Sequence, residues 1–225
     1  MSATFITATG TDVGKTFVAT ALIRHLRAAG RVVEALKPVA SGYDPDKAAT
    51  SDPGMLLTAL ERPVTPVMIE RIAPWRFAAP VSPDLAAKLE NRTVDFDALL
   101  AFCRVAIDRC PGSMLIEGIG GVMVPLDDTR TVLDWIVALK LPIIMVTGSY
   151  LGSLSHTLTS LDAVRRRAIA VKALVVNETP GATVPISDTI ATLKRFADSI
   201  PVLPLPRLKS NTAQHMTFTD IAALL

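Results

Sequence analysis

The sequence has no excess of one charge and no long hydrophobic run, and each shortage excludes a class of protein. Its 23 lysines and arginines nearly cancel its 21 aspartates and glutamates, whereas binding nucleic acid needs a concentrated basic surface. The longest apolar stretch, from Ile136 to Val146, is interrupted by Lys140 and Pro142 and is about half of the ~20 residues that cross a bilayer. We therefore expect neither a nucleic-acid-binding protein nor a membrane-spanning one.

Cysteine is also scarce. Cys103 and Cys110 lie seven residues apart in a predicted helix, too far along its axis for a local disulfide, and no nearby histidine or third cysteine completes a metal site. The N-terminal sequence has no basic stretch and leads directly into a predicted strand, so we expect no signal peptide. Two reduced thiols and no targeting segment predict a cytoplasmic protein.

Apolar residues, by contrast, make up 50% of the chain, which is enough for a hydrophobic core and excludes disorder. Short β-rich runs alternate with helical patterns, and this alternation predicts an α/β fold with a mainly parallel sheet covered by helices on both faces. The predicted strands are residues 3–8, 31–37, 113–117, 142–147, 171–177 and 201–205. The predicted helices are residues 15–29, 95–108, 131–139, 153–167, 186–198 and 218–225.

The sequence shows no internal repeat and no flexible linker, so residues 1–225 are predicted to form a single domain. Residues 40–89 are the exception to the alternating pattern, because they contain seven prolines and little periodicity. We interpret this stretch as a long loop, and ordered loops of such length inside a compact domain are usually functional.

A phosphate-binding loop is predicted between the first strand and the first helix, where residues 8–16 read ATGTDVGKT. Backbone N–H groups at such a turn bind phosphate oxygens, and the helix dipole favours their negative charge. Lys15 is then placed to reach the terminal phosphates, and the Thr16 hydroxyl to bind Mg²⁺. The loop departs from the common G-x-x-x-x-G-K-[ST] pattern because Thr9 stands five residues before Gly14.

Two later motifs fall at strand ends, where open α/β sheets bind their ligands. Residues 37–42 read KPVASG, and Lys37 offers a compact positive charge for a phosphoryl or carboxylate-like group. Residues 117–121 read EGIGG after an apolar run, which places the carboxylate of Glu117 where a phosphate-loop protein needs a Mg²⁺ ligand. Either motif alone is weak evidence, and together with the phosphate loop they favour a nucleotide-dependent enzyme.

On these motifs the sequence resembles the dethiobiotin synthetase family. The resemblance extends over about residues 4–210 and includes Ser51–Asp52, Pro80–Pro83, Leu151–Gly152, Asn177 and Leu205–Pro206. It implies a phosphate-loop NTP hydrolase-like fold and an ATP- and Mg²⁺-dependent ligase of biotin biosynthesis (EC 6.3.3.3). The family closes the ureido ring of dethiobiotin from 7,8-diaminopelargonate and CO₂ through a carbamate and a carbamic-phosphoric anhydride, and releases ADP and phosphate.

The resemblance also implies roles for individual residues. Lys15 and Lys37 are expected to be catalytic, Mg²⁺ is expected on Thr16, Asp52 and Glu117, and Ser41, Leu151 and Gly152 are expected to contact substrate. The family forms homodimers in which the loop before Gly152 contributes to the partner's substrate site. The residues expected to bind nucleotide are Asp12, Val13, Gly14, Lys15, Thr16, Phe17, Asp52, Glu117, Gly118, Ile119, Gly120, Asn177, Glu178, Leu205, Pro206 and Arg207.

Two other classes compete with this interpretation. A nucleotide-switched ATPase of the ParA/MinD type would also begin with a phosphate loop, but that group has a lysine where this chain has Gly10. The synthetase domain of a glutamine-dependent cobyrinate amidase would need a glutaminase domain with a nucleophilic cysteine, for which the chain has no room. The KPVASG motif favours the ligase.

Overall fold

The architecture was obtained from a computed structural model, which describes residues 2–207 and 215–225. The strands are β1 Ser2–Ala8, β2 Val33–Leu36, β3 Val39–Ser41, β4 Trp75–Phe77, β5 Ser113–Glu117, β6 Ile143–Gly148, β7 Val171–Asn177 and β8 Val202–Leu205. The α-helices are α1 Lys15–Ala28, α2 Asp52–Ala59, α3 Pro66–Ile72, α4 Pro83–Leu89, α5 Phe96–Arg109, α6 Val132–Leu139, α7 Ser153–Arg166, α8 Ile186–Phe196 and α9 Met216–Ala223, and Pro45–Thr50 form a 3₁₀ helix.

Six strands form one parallel sheet in the order β2-β5-β1-β6-β7-β8. Every residue of β5 and β6 is buried, and because successive side chains point to opposite faces, helices must cover the sheet on both sides. The predicted fold class is therefore confirmed.

The strand register determines where the predicted site residues meet. Ile6 of β1 pairs with Glu117 of β5, and Leu36 of β2 pairs with Ile116 of β5. The phosphate loop after β1, Lys37 after β2 and the carboxylate at the end of β5 therefore lie at the same edge of the sheet, which is where open α/β folds bind ligands.

Residues 40–89 are more regular than the sequence predicted. They form the small two-stranded sheet β3-β4, the 3₁₀ helix and three short helices. Several of the prolines stand in the first turn of a helix, as in α2, α3 and α4, where the missing N–H costs no hydrogen bond. The prolines therefore begin short elements instead of preventing them.

Two local features concern the end of α1 and the cysteines. Gly30 follows the C-cap of α1 with φ 72°, and its N–H donates to the Arg27 carbonyl oxygen, as expected of a glycine at a helix end. Cys103 and Cys110 are unpaired and buried. Among the helices of residues 2–207 and 215–225, none combines the length and the hydrophobicity that crossing a bilayer requires.

Candidate nucleotide and substrate site

The loop between β1 and α1 presents an open helix N-terminus. Gly14 takes the left-handed conformation with φ 101° just before α1, and Asp12 is also left-handed with φ 57°. The first turn of α1 has no side-chain cap and no acidic residue, so its backbone N–H groups remain available to an anion. This is the geometry that a phosphate-binding loop requires.

Lys15 extends from the first turn of α1 back over this loop. Its Nζ donates to the Gly10 carbonyl oxygen over 3.2 Å, and the side chain is buried. Burial, reinforced by the nearby charge of Lys37, lowers the pKa of Lys15 to about 8. A bound polyphosphate would supply the negative charge that this ammonium lacks.

Lys37, directly after β2, is more deeply buried and far better paired. Its Nζ donates to Glu117 Oε1 over 2.7 Å and to the Gly118 carbonyl oxygen over 2.8 Å, and forms an ion pair with Asp52 Oδ2 at 2.8 Å. Burial opposes the charged form, but the charges of Glu117 and Asp52 outweigh it and raise the pKa of Lys37. Lys37 is therefore a permanent cation, not a proton acceptor.

Thr16 stands between the same two carboxylates. Its Oγ1 lies 2.8 Å from Asp52 Oδ1 and 2.7 Å from Glu117 Oε1. Burial raises the pKa of Asp52, but the charge of Lys37, the hydrogen bonds from Lys37 and Thr16 and the charge of Lys15 together lower it by more, so the net shift is downward and the carboxyl group stays ionised. Glu117 is 1% exposed, and its Oε2 has no hydrogen-bond partner among the described residues.

These three oxygen ligands fit Mg²⁺. A buried carboxylate oxygen without a partner is costly, and a hard divalent cation would satisfy it together with the Thr16 hydroxyl and Asp52. The described residues contain no group of three or more His, Cys, Asp or Glu side chains arranged around one point. A Mg²⁺ ion would therefore complete its shell with phosphate oxygens and water, as Mg²⁺ in nucleotide sites usually does.

The glycine-rich segment after Glu117 runs alongside the phosphate loop. The Gly118 N–H donates to the Ile6 carbonyl oxygen over 2.9 Å, and a Cβ at Gly118 would come within 2.7 Å of the Phe5 ring. A Cβ at Gly121 would lie 3.1 Å from the backbone of Thr9. Because these glycines have no side chain, the backbone of the glycine-rich segment can pack directly against β1 and the phosphate loop.

The two loops open onto a cleft of about 580 Å³. From the predicted site it brings together Asp12, Gly14, Lys15, Thr16, Phe17, Lys37, Ser41, Asp52, Ile119 and Gly120. Thr11 and Tyr43 also line it and were not predicted. In the sequence, only their positions indicate a place in the site, because Thr11 lies inside the phosphate loop and Tyr43 directly follows the KPVASG motif.

The predicted base-binding residues lie along the ends of β7 and β8. Asn177 pairs with Leu205 in the sheet, and Glu178 Oε2 accepts the Arg207 N–H over 2.7 Å. Glu178 and Arg207 line a second cleft of about 290 Å³ with residues 179–185. Leu205 is fully buried and Pro206 is half-buried, and neither lines this cleft.

The predicted substrate residues Leu151 and Gly152 do not enter the main cleft of their own chain. They line a separate cleft of about 150 Å³ at the N-terminus of α7, and Leu151 is 86% exposed. Neighbouring Tyr150 also lines a fourth cleft, together with Thr9, Gly10 and Thr11 of the phosphate loop.

Comparisons with known proteins point to one family. A family model described as an AAA domain matches residues 2–215. The ATP-dependent dethiobiotin synthetase of Acidiphilium cryptum is 48% identical over 202 residues, covering 89% of this chain and 91% of the relative. The protein of that name from Phenylobacterium zucineum is 44% identical, covering 92% of this chain and 89% of the relative.

The chain belongs to the dethiobiotin synthetase family.

Solved structures support the fold. The MinD-containing MinC:MinD cell division complex of Aquifex aeolicus matches with a TM-score of 0.58 at 12% identity, covering 99% of this chain and 94% of the other. The cell division ATPase MinD of Pyrococcus furiosus matches with a TM-score of 0.52 at 15% identity, covering 100% of this chain and 98% of the other. At such low identity the likeness concerns the fold only.

Proposed function

We propose that this chain is an ATP- and Mg²⁺-dependent dethiobiotin synthetase, a C–N bond-forming cyclo-ligase of biotin biosynthesis. The observation that carries the proposal is the single cluster at the carboxyl ends of β1, β2 and β5. There a phosphate-loop lysine, a second buried lysine and two carboxylates converge. Membership of the dethiobiotin synthetase family supports the assignment of the reaction.

The reaction needs positioned charge more than acid–base chemistry. One amine of 7,8-diaminopelargonate takes up CO₂ to form a carbamate, and ATP phosphorylates a carbamate oxygen to give a carbamic-phosphoric anhydride. The neighbouring amine then attacks the carbonyl carbon, closes the ureido ring and expels phosphate. Phosphoryl transfer of this kind depends on alignment and on stabilising negative charge.

Lys15 and the first turn of α1 bind the triphosphate in this proposal. The uncapped N–H groups donate hydrogen bonds to the phosphate oxygens, and the ammonium of Lys15, whose charged form is destabilised by burial, gains a counter-charge from the same phosphates. Residues 12–17 wrap the phosphates, with Asp12 and Phe17 at the rim of the cleft.

Lys37 stabilises the carbamate and the transferred phosphoryl group. Its raised pKa keeps it protonated throughout, so it acts through its charge and its N–H groups. To reach substrate, Lys37 has to exchange part of its bonding to Glu117 and Asp52 for bonding to the carbamate. Ser41, in β3 on the same cleft, contacts the substrate beside it.

Mg²⁺, held by Thr16, Asp52 and Glu117, would neutralise charge on the phosphates. The Thr16 hydroxyl already lies within hydrogen-bond distance of both Asp52 and Glu117. Little reorganisation of these three side chains is therefore needed to form the site. Release of Lys37 from the two carboxylates leaves both free to act as ligands.

The nucleoside and the far end of the substrate extend in different directions from this centre. We assign the base to the ends of β7 and β8, where Asn177, Glu178, Leu205, Pro206 and Arg207 lie. Leu151 and Gly152 line a separate cleft and not the main cleft of their own chain, which supports a homodimer in which they contact the partner's substrate.

The proposal treats residues 1–225 as one catalytic domain in the cytoplasm. The small sheet β3-β4 supports the single-domain assignment, because Ala40 and Ser41 of β3 line the same cleft as the phosphate loop. The two buried, unpaired thiols agree with a reducing compartment.

The direct test is to incubate the purified protein with 7,8-diaminopelargonate, bicarbonate, Mg²⁺ and ATP, and to follow dethiobiotin by mass spectrometry. We expect dethiobiotin, ADP and phosphate in equal amounts. ATP turnover without dethiobiotin, stimulated instead by a protein or DNA partner, would contradict the ligase and favour a switch ATPase.

A further inference from the structure

A side chain from the far end of the base-binding region contacts the phosphate loop directly. Asn177 is the last residue of β7, and its Nδ2 donates to the Val13 carbonyl oxygen over 3.0 Å. The two residues are 164 positions apart in the chain, so this bond is a tertiary contact between the two parts of the site.

The bond holds the loop between two left-handed residues. Val13 stands between Asp12 and Gly14, both of which are left-handed, with φ 57° and 101°. A non-glycine residue in this conformation persists only when its surroundings hold it. The carbonyl that Asn177 binds is the one between these two residues.

The Asn177 amide also packs against the backbone of Gly14. A Cβ built on Gly14 would lie 2.3 Å from Asn177 Nδ2, which is closer than any side chain could tolerate. Gly14 is therefore needed for the amide to reach Val13 as well as for its own conformation.

We propose that Asn177 is a positioning residue for the phosphate loop, independently of any contact it makes with the base. An asparagine amide has two N–H donors and a carbonyl acceptor, and one donor is committed to Val13. The remaining donor and the carbonyl have no partner among the described residues and are available to the nucleoside. The same side chain thus connects the base region to the loop that binds the phosphates.

The inference rests on the proposed function in taking this loop as the site of nucleotide phosphates. Inorganic tripolyphosphate is the appropriate probe because it has no base. In an Asn177→Leu variant, which keeps the branched shape and removes the donor, we expect the Kd for tripolyphosphate to rise about fivefold to tenfold. In Ser187→Leu, which places a leucine at an exposed polar position of α8 outside the main cleft, we expect an unchanged Kd for tripolyphosphate.

The outcomes separate the two proposals. If Asn177→Leu weakens ATP binding and leaves tripolyphosphate binding unchanged, Asn177 contacts only the base and the positioning role is wrong. If the wild-type protein binds neither tripolyphosphate nor ATP, the proposed function fails instead. Steady-state kinetics add a second criterion, because a misplaced loop lowers kcat, whereas loss of a base contact raises KM for ATP alone.

Hydrogen exchange tests the same role without any ligand. We expect the amides of residues 10–16 to exchange faster in nucleotide-free Asn177→Leu than in the wild type, and those of β5 and β6 to be unchanged. Faster exchange throughout the chain would mean that the variant is globally destabilised, and equal exchange in the loop would overturn the proposal.

Discussion

Lys15 and Lys37 bring two positive charges into one cleft, but their surroundings shift the two pKa values in opposite directions. Lys15 has a backbone carbonyl as its acceptor, and burial lowers its pKa to about 8. Lys37 has two carboxylates, and its pKa is raised. Lys15 forms no ion pair with any of the described residues, whereas Lys37 is paired with the carboxylates that a metal would need.

The competition between Lys37 and metal is testable in nucleotide-free protein. A Lys37→Met variant should lose ring closure. It should nevertheless bind Mn²⁺, a substitute for Mg²⁺, about tenfold or more tightly than the wild type, because the substitution removes a positive charge about 4 Å from the metal ligands. Mn²⁺ titration followed by electron paramagnetic resonance measures the affinity. Lys47→Met removes an exposed lysine that pairs with Asp44 instead, and should leave the affinity unchanged; equal affinities in both variants would argue against competition.

The lowered pKa of Lys15 predicts that nucleotide affinity falls at high pH. The free protein loses the Lys15 proton above about pH 8, and bound phosphates favour the charged form, so binding above pH 8 must take up a proton. The affinity for Mg–ADP should therefore fall about tenfold between pH 7.5 and pH 9. Below pH 7.5 this group should contribute no further pH dependence.

Calorimetry in buffers of different ionisation enthalpy counts the proton that is taken up. A Lys15→Arg variant remains charged over the whole range and should lose this pH dependence. Binding without proton uptake at pH 9 in the wild type would show that Lys15 does not face the phosphates.

The elements of the main sheet were predictable from the sequence, whereas the small elements before β5 were not. Strands such as β5 and β7 lie at the predicted bounds because strands buried on both faces read as continuous apolar runs. Residues 40–89 form elements of three to eight residues, which are too short for periodicity to show. Prolines are typical of loops, but several of those in residues 40–89 stand in the first turn of a helix.

The candidate site was predictable to the same degree. The sequence motifs identify the charged residues of the site. The parallel register of β2 and β5 brings Lys37 and Glu117 together, as expected of residues at the same edge of a sheet. The contact between Asn177 and Val13 could not be predicted, because it depends on the angle at which β7 meets the phosphate loop. Sequence separation carries no information about such tertiary bonds.

A chain of buried hydroxyls links the phosphate loop to α7. Thr157 Oγ1 donates to the Ser153 carbonyl oxygen, Thr147 Oγ1 lies 2.7 Å from Thr157 Oγ1, and Thr9 Oγ1 lies 3.1 Å from Thr147 Oγ1. Since each hydroxyl has one proton, Thr147 must donate to Thr157 and accept from Thr9. The link therefore has a fixed direction, from the loop into β6 and α7.

Removing the middle hydroxyl should destabilise the protein. Thr147→Val keeps the shape of the side chain, and the loss of one buried and one partly buried hydrogen bond should lower the free energy of unfolding by about 1–3 kcal/mol. Thr7→Val is the matched control, because the Thr7 hydroxyl is buried and has no partner among the described residues, so its replacement should be neutral or stabilising. Urea unfolding measures both, and equal effects would contradict the hydroxyl chain.

At the scale of the whole molecule, the exposed loop before α7 predicts the effect of breaking the proposed dimer. Leu151 is 86% exposed, so a charged residue there costs the monomer little. If the loop lies in the homodimer interface, Leu151→Arg should raise the dimer Kd by about thirtyfold and reduce ring closure in parallel. Light scattering with size-exclusion chromatography reports the mass.

A matched control is available on another surface. Val67 in α3 is 62% exposed, and Val67→Arg introduces the same charge away from α7. It should leave the mass unchanged. A wild-type protein with the mass of one chain at assay concentration would refute the dimer, as would a fully active Leu151→Arg monomer.

The placement of the two tryptophans gives the molecule separate optical reporters. Trp135 is fully buried against Phe5, with ring centroids 4.8 Å apart, beneath the glycine-rich segment. Trp75 is half-buried in β4, beside the strand that leads to Ser41. Trp135 emission therefore reports unfolding of the core, and Trp75 emission reports changes around the small sheet. A Trp75→Phe protein would retain only Trp135 as its fluorescent probe, and a Trp135→Phe protein would retain only Trp75.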